Sequence, residues 1–157
     1  MEAKNNLAKI FAGLSQARQI GIMKNQFYTL IDFPSSATKT GMLSMFQSPT
    51  VPFSIKRVLV ISDMKENDTR GGHTHHHTNQ ILLCIQGQCA VDLDNGKEKE
   101  TIQLDASVPR KGLLLYPYVW HVMRDFKKDT ILLVIADMEY DERDYIRSYD
   151  EFLTYVK

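Results

Sequence analysis

From about residue 43 onward the chain sets short apolar or alternating runs between turn residues, a texture of strands rather than long helices. "IKRVLVIS", "QILLCIQ", "QCAVDLD", "KETIQL", "GLLLYP" and "TILLVIAD" read as strands. "LDNGKE" predicts a hairpin, because Asn-Gly supplies the positive backbone angles of a tight primed turn. Gly87, alone between two strand-like runs, marks another turn. Near the N-terminus Leu7, Ile10, Phe11 and Leu14 recur at helical spacing and predict a short amphipathic helix in an extension spanning residues 1–25; "PSSATKTG" then reads as a loop. "DERDYIRSYDEFLTYV" places Tyr145, Tyr149, Phe152, Leu153 and Val156 at mostly three- and four-residue intervals. That spacing predicts a closing amphipathic helix whose tyrosines serve packing. Many short strands with helices only at the ends predict an all-β barrel or sandwich, one domain over residues 26–157.

The bulk composition narrows the function. At 157 residues the chain fits one domain with a real core. Its 19 basic and 19 acidic residues balance, so no global field recruits nucleic acid or an anionic membrane. No apolar run approaches the roughly 20 residues of a bilayer span, and the start lacks a secretory signal, so a cytoplasmic protein is expected. Cys84 and Cys89 flank "IQGQ" and face each other if that segment is a hairpin; in a reducing compartment they are expected as buried thiols.

"RGGHTHHHTNQ" holds four of the five histidines. The run is internal, mixed with Thr and Gly, and leads straight into a core strand, so it is no purification tag. In extended chain His73, His75 and His77 share one face. His73-x-His75, Gln80 and Gly87 follow the first motif of the cupin barrels, and Gly112, Pro117 and His121 follow the second, with the Pro–His interval one residue short. The fold expected is therefore a double-stranded β-helix, a small jelly-roll-like barrel whose mouth holds a ligand. Metal-binding cupins place a glutamate where this chain has Gln80, a weaker ligand. A metal site from His73, His75 and His121 stays open, but the cluster reads better as acid/base chemistry, to which the imidazole pKa is suited.

"VPFSIKRVLVI", "RGGHTH", "DLDNGKEKETIQL", "GLLLYPYVWH" and "YDERDYIRSYDEF" occur in the order, and at nearly the spacing, of the dTDP-4-keto-6-deoxyglucose 3,4-ketoisomerases, a WxcM-like family related to the dTDP-sugar epimerases. The chain resembles that family over about residues 26–157. The resemblance implies a domain-swapped cupin homodimer, with swapped N-terminal strands, that needs neither metal nor other cofactor. It implies an enzyme that moves the ketone of a dTDP-linked 4-keto-6-deoxyhexose from C4 to C3, for deoxysugar and surface-polysaccharide (O-antigen) synthesis. It carries the catalytic histidines onto His73 and His75. The chemistry needs a base, an acid and a stabiliser of a developing oxyanion.

Arg70 is the natural partner for the oxyanion or a diphosphate oxygen, and Lys56, Arg57 and Arg124 are candidates for the diphosphate. Trp120, with Tyr116 and Tyr118 as rivals, offers thymine a flat apolar surface, and Gln80 and His121 are expected to line the pocket. The chain departs from the family at Leu59 and Val60, where tyrosines are usual, at Thr40-Gly41, where Arg-Gly is common, and at His76, where lysine is common. Rival readings are a dTDP-sugar epimerase, a metal-dependent cupin and a sugar-nucleotide binding module without turnover.

Overall fold

The computed structural model describes residues 27–107 and 110–157. The N-terminal helix expected around residues 7–14 lies outside the described residues. The strands are β1 (Tyr28–Phe33), β2 (Ser35–Thr38), β3 (Gly41–Ser44), β4 (Arg57–Ile61), β5 (Arg70–His75) and β6 (Gln80–Gln86). They continue with β7 (Gln88–Asp94), β8 (Lys99–Asp105), β9 (Arg110–Leu115), β10 (Trp120–Arg124), β11 (Ile131–Ala136) and β12 (Tyr145–Ile146). A single helix, α1 (Tyr149–Val156), follows within the described residues. One antiparallel sheet has the order β1-β9-β6-β11-β4, the other β12-β5-β10-β7-β8, and β2 pairs only with β3.

The principal core lies between the two sheets. Leu82, Cys84, Leu113, Leu115, Leu132 and Val134 from the first sheet join Cys89, Val91, Leu93, Leu104 and Met123 from the second. The alternate residues of the first sheet, Ile81, Leu83, Leu114 and Ile135, pack outward against Phe33, Val51, Phe46 and Phe53. Covering both faces explains why "QILLCIQ" reads as a continuous apolar run, since a strand buried on both sides has no solvent face to make polar. Burying a Leu or Ile fully contributes roughly 1.5–3 kcal/mol, so this double layer is the main stabilising element.

Four local readings change in the structure. "PSSATKTG" is not simply a loop: β2, a turn and β3 form a hairpin of mostly polar residues that carry no apolar alternation to signal strands. The Asn-Gly turn joins β7 to β8 through residues 95–98 instead of a two-residue loop. Asn95 Oδ1 accepts from Lys97 N at 2.9 Å and Glu98 N at 2.8 Å, and only Gly96 takes positive φ. Gly87 turns the chain from one sheet into the other, so Cys84 and Cys89 meet across a sheet corner, not a hairpin, as buried free thiols 3.8 Å apart.

The C-terminal helix is the fourth and is shorter than its periodicity predicts. Residues 142–144 form a 3₁₀ turn, Tyr145–Ile146 pair with β5, and the helix begins only after Ser148, whose Oγ accepts from Glu151 N at 3.3 Å. Phe152 is buried and anchors α1 on the outer face of the second sheet, against Trp120.

Candidate active site

The pleat of β5 turns His73 and His75 to the barrel interior, and the antiparallel neighbour β10 sets His121 opposite His73. The His73 ring centroid lies 5.1 Å from that of His75 and 4.6 Å from that of His121. Three imidazoles thus form one cluster at the barrel's polar end. His77 does not join it, because β5 ends at His75 and His77 is exposed in the following turn. His76 also leaves, its Nδ1 lying 3.2 Å from Tyr118 Oη.

The first glycine of "RGGHTH" makes the close approach possible. Gly71 and Gly72 have φ of +86° and +67°, and a Cβ on Gly71 would lie 2.6 Å from the His121 carbonyl oxygen. Any side chain there would wedge β5 away from β10 and pull His73 from His121.

Each buried imidazole is held in one tautomer. His75 donates Nδ1–H to Asp144 Oδ2 at 3.0 Å, and the same carboxylate accepts from Thr78 Oγ1 at 2.5 Å and His77 N at 2.8 Å. This leaves the Nε2 lone pair of His75 free of that bond. His121 Nδ1 lies 3.2 Å from the Val119 carbonyl, which can only accept, so its Nε2 accepts from Gln80 Nε2 at 3.1 Å. Burial and the neighbouring His75 push His73 down to about 4; burial and His73 push His121 down to about 3. Burial also lowers His75, against the opposing pull of Asp144. Burial works against the ionisation of Asp144, but the hydrogen bonds from Thr78, the His77 N–H and His75 prevail and hold its carboxyl below the usual range. The cluster is therefore held in its neutral form, with lone pairs available to a substrate proton, although each ring binds a proton less tightly than a free imidazole.

Tyr145 closes the cluster from the third side, its ring 4.3 Å from His75 and 5.0 Å from His73, and the Arg147 guanidinium lies 4.4 Å over that ring. The sequence pattern assigns Tyr145 to packing and gives Asp144 no place in the site. Both sit in "DERDYIRSY", which the helical spacing of its aromatics assigns to packing; the signal available was the motif itself.

The other expected residues divide by the face they occupy. Gln80 and Arg57 point inward, Gln80 to His121 and Arg57 from the inner face of β4 beside Leu59 and Ile61. Tyr116 is half-buried and shares a hydrogen bond with Thr29 Oγ1 at 2.8 Å. Lys56 is exposed. Arg70 is also exposed, and its Nε donates to Met64 Sδ at 3.5 Å instead of entering the cluster. The alternation that puts His121 and Met123 inside puts Trp120 and Arg124 on the outer face. There Trp120 packs on Tyr149 and Phe152, Arg124 pairs with Asp92 and Asp125, and Trp120 lines a surface cavity of about 410 Å³ with Asp94 and Lys99. The structure thus separates Trp120 and Arg124 from the histidines by the thickness of a sheet. Among the described residues no group of three or more His, Cys, Asp or Glu side chains is placed to hold a metal ion.

Comparison with known proteins shows the family of the chain. The family model described as FdtA: WxcM-like, C-terminal matches residues 26–157. A TDP-4-oxo-6-deoxy-alpha-D-glucose-3,4-oxoisomerase from Aneurinibacillus thermoaerophilus is 42% identical over 119 residues, 76% of this chain and 84% of that protein. The sugar 3,4-ketoisomerase QdtA from Thermoanaerobacterium thermosaccharolyticum, solved with TDP, superposes with a TM-score of 0.80 at 36% identity, covering 85% of this chain and 96% of that one. A histidine-to-asparagine variant of QdtA, solved with TDP-4-keto-6-deoxyglucose, superposes equally well over the same shares of the two chains, with TM-score 0.80 and 36% identity. The chain belongs to the FdtA family of WxcM-like proteins and is an isomerase of the sugar 3,4-ketoisomerase type.

Proposed function

We propose that the protein converts dTDP-4-keto-6-deoxy-D-glucose to a dTDP-3-keto-6-deoxyhexose by proton transfers at the histidine cluster. The observation that carries this reading is the set of neutral imidazoles facing one another inside the barrel, two of them, His75 and His121, fixed in one tautomer. The C3 proton is acidified by the C4 ketone. A neutral histidine removes it, the electron pair moves through C3–C4 to O4, and an enediolate results. Return of a proton to C4, with the O3 proton passing to O4, leaves the ketone at C3 and a hydroxyl at C4. The electrons stay within the substrate, so no redox partner enters the balance.

His73 is the base in this scheme. It is the least enclosed of the three, whereas His75 and His121 are 3% and 2% exposed. His75, anchored by Asp144, positions His73 and relays charge. Tyr145, its ring against His73 and His75, takes the role of the family's usual tyrosines, at whose positions Leu59 packs into the core and Val60 faces out. A 3-keto product is the substrate form an aminotransferase needs, which places the enzyme in aminodeoxysugar synthesis for surface polysaccharides such as O-antigen. A cytoplasmic location fits a substrate carried by a nucleotide.

The protein works as a homodimer with swapped N-terminal strands. In support, the β2–β3 hairpin stands apart from both main sheets, with Met42 and Leu43 exposed. Light scattering after gel filtration at twice the chain mass would support the dimer; a monomer would refute it.

The test of function is proton NMR with dTDP-4-keto-6-deoxyglucose in deuterated water. A 3-keto sugar labelled at C4 is expected. Exchange at C3 or C5 without carbonyl migration would establish the epimerase chemistry instead. Replacing His73 or His75 by Asn should abolish turnover and leave dTDP affinity nearly intact; full activity in both variants would sink the assignment.

A further inference from the structure

Polar atoms buried without a partner are rare because their desolvation goes uncompensated. Among the described residues the unpartnered buried side-chain atoms are Arg57 Nε and Nη1, His73 Nδ1 and Thr74 Oγ1. Two of the four belong to one guanidinium, and a third to the imidazole assigned above as the base. Arg57 opens β4, and the pleat that turns Val58 and Val60 to solvent turns Arg57 inward with Leu59 and Ile61. Its charge acts on both His73 and His75, so it lies within electrostatic reach of both rings.

The neighbouring arginines are already committed. Arg147 is paired to Glu142, Arg124 to Asp92, Arg143 to Asp141, and Arg110 to Ser44 and backbone carbonyls. Among the described residues Arg57 Nε and Nη1 have no such acceptor, and the Tyr140 ring lies 5.9 Å from the guanidinium. A guanidinium cannot shed its proton, so burying two of its nitrogens without a counter-charge is unfavourable. An anion that exists only during the reaction resolves that cost. The proposed reaction supplies one, because the electron pair left by the C3 proton comes to rest on O4, and on reprotonation at C4 the ketone forms at O3.

We propose that Arg57 is a catalytic residue of the isomerisation, its unpaired guanidinium N–H groups receiving the enediolate oxygens beside the reacting carbons. The proposal rests on the ketoisomerase reading above. It differs from a diphosphate contact in position. The base must come within about 3 Å of the group whose proton it takes, so a cation on the inner face whose field reaches both histidines lies on the side of the reacting carbons. The diphosphate leaves from C1, farther along the ring.

The test uses the full chain with Arg57→Met and Arg57→Lys, measuring turnover, dTDP affinity by calorimetry and C3–H exchange in deuterated water. Wild-type conversion of dTDP-4-keto-6-deoxyglucose checks the ketoisomerase reading separately. If Arg57 holds the oxyanion, Arg57→Met lowers kcat by about 10²–10³ and slows C3 exchange in step, with dTDP affinity within about threefold of wild type. Should Arg57→Met fold poorly, Arg57→Lys keeps the charge but loses the planar fork, and a kcat loss of about tenfold or more with a native thermal transition is expected. Loss of dTDP affinity with kcat retained would make Arg57 a diphosphate anchor and overturn the proposal. So would wild-type C3 exchange or wild-type kcat in both variants.

Discussion

Gly71 and Gly72 allow one substitution to test whether the site depends on backbone contact between β5 and β10. Both residues have positive φ, so alanine at either is strained by about 1–2 kcal/mol, offset by about 0.4–1 kcal/mol from a stiffer unfolded chain. At Gly72 nothing lies within 4 Å of the new Cβ, so Gly72→Ala should cost only about 1 kcal/mol. At Gly71 the Cβ would sit 2.6 Å from the His121 carbonyl oxygen and 3.2 Å from Met123 Cε. A carbon–oxygen contact needs about 3.3 Å, so the strands must part by several tenths of an ångström. Overpacking of that kind adds about 1–3 kcal/mol, for a total near 3 kcal/mol. For a chain of this size the Tm should fall by about 10 °C in Gly71→Ala and about 3 °C in Gly72→Ala. Turnover should fall selectively in Gly71→Ala, because the separation carries His73 from His121. The assay is a urea titration and a thermal melt of both variants beside the NMR turnover measurement. Equal stability and equal activity in the two variants would refute the argument that the close approach, rather than the φ angle, is what glycine serves.

Other perturbations probe the hydrogen-bonded shell. In Asp144→Asn the amide N–H₂ or oxygen must face donors that the carboxylate accepted, so a loss of about 2 kcal/mol by urea titration is expected. His75 should then titrate lower still, visible by NMR, since Asp144 is the group that raises it; an unchanged His75 titration would count against the pairing. Stability should depend on pH through His121 and His73, whose folded pKa values lie below the unfolded value of 6.5. The unfolded chain binds protons first, so stability is flat above about pH 7 and falls from pH 6.5 towards 4 by about 1.4 kcal/mol per pH unit per histidine. Urea midpoints at pH 7 and 5 measure this, and His121→Asn should flatten the slope by one proton. Gln80→Glu removes the donor to His121 Nε2 and sets a carboxylate beside three imidazoles. It should raise the His121 pKa and confer divalent-metal binding by calorimetry at least tenfold tighter than wild type, since charge is what the neutral amide lacks as a ligand.

Much of the fold was legible because its main strands are buried on one or both faces and so carry strong patterns: all six sequence-read runs became strands. Of the six strands outside those runs, β1 and β10 carry apolar residues that the run pattern passed over, and the other four are short or polar. β2 and β3 have few apolar residues, β5 is mostly glycine, threonine and histidine, and β12 is two residues long. Chemistry followed the same rule. His73, His75 and Gln80 were visible through a local spacing, and β5 and β6 place them as that spacing implies. Asp144 and Tyr145 reach the cluster by a pairing of β12 with β5 across nearly 70 residues, which no local periodicity encodes. Trp120 and Arg124 went to the outer face because a strand alternates: choosing His121 for the interior excludes both neighbours of that parity.

The pairing of β5 with β12 also bears on how the active protein is made. His75 and Asp144 are 69 positions apart, and between them the chain lays down β6 to β11, including the corner at Gly87. Closing so long a loop is entropically costly and gives no return until the intervening sheets have formed, so topology places this contact late in folding. A refolding chain should regain its far-ultraviolet sheet signal before it regains turnover. A chain arrested before residue 144 should fold most of its barrel yet keep His75 free to change tautomer. Recovery of turnover after the sheet signal would make acid/base competence a readout of the closing of β12 on β5.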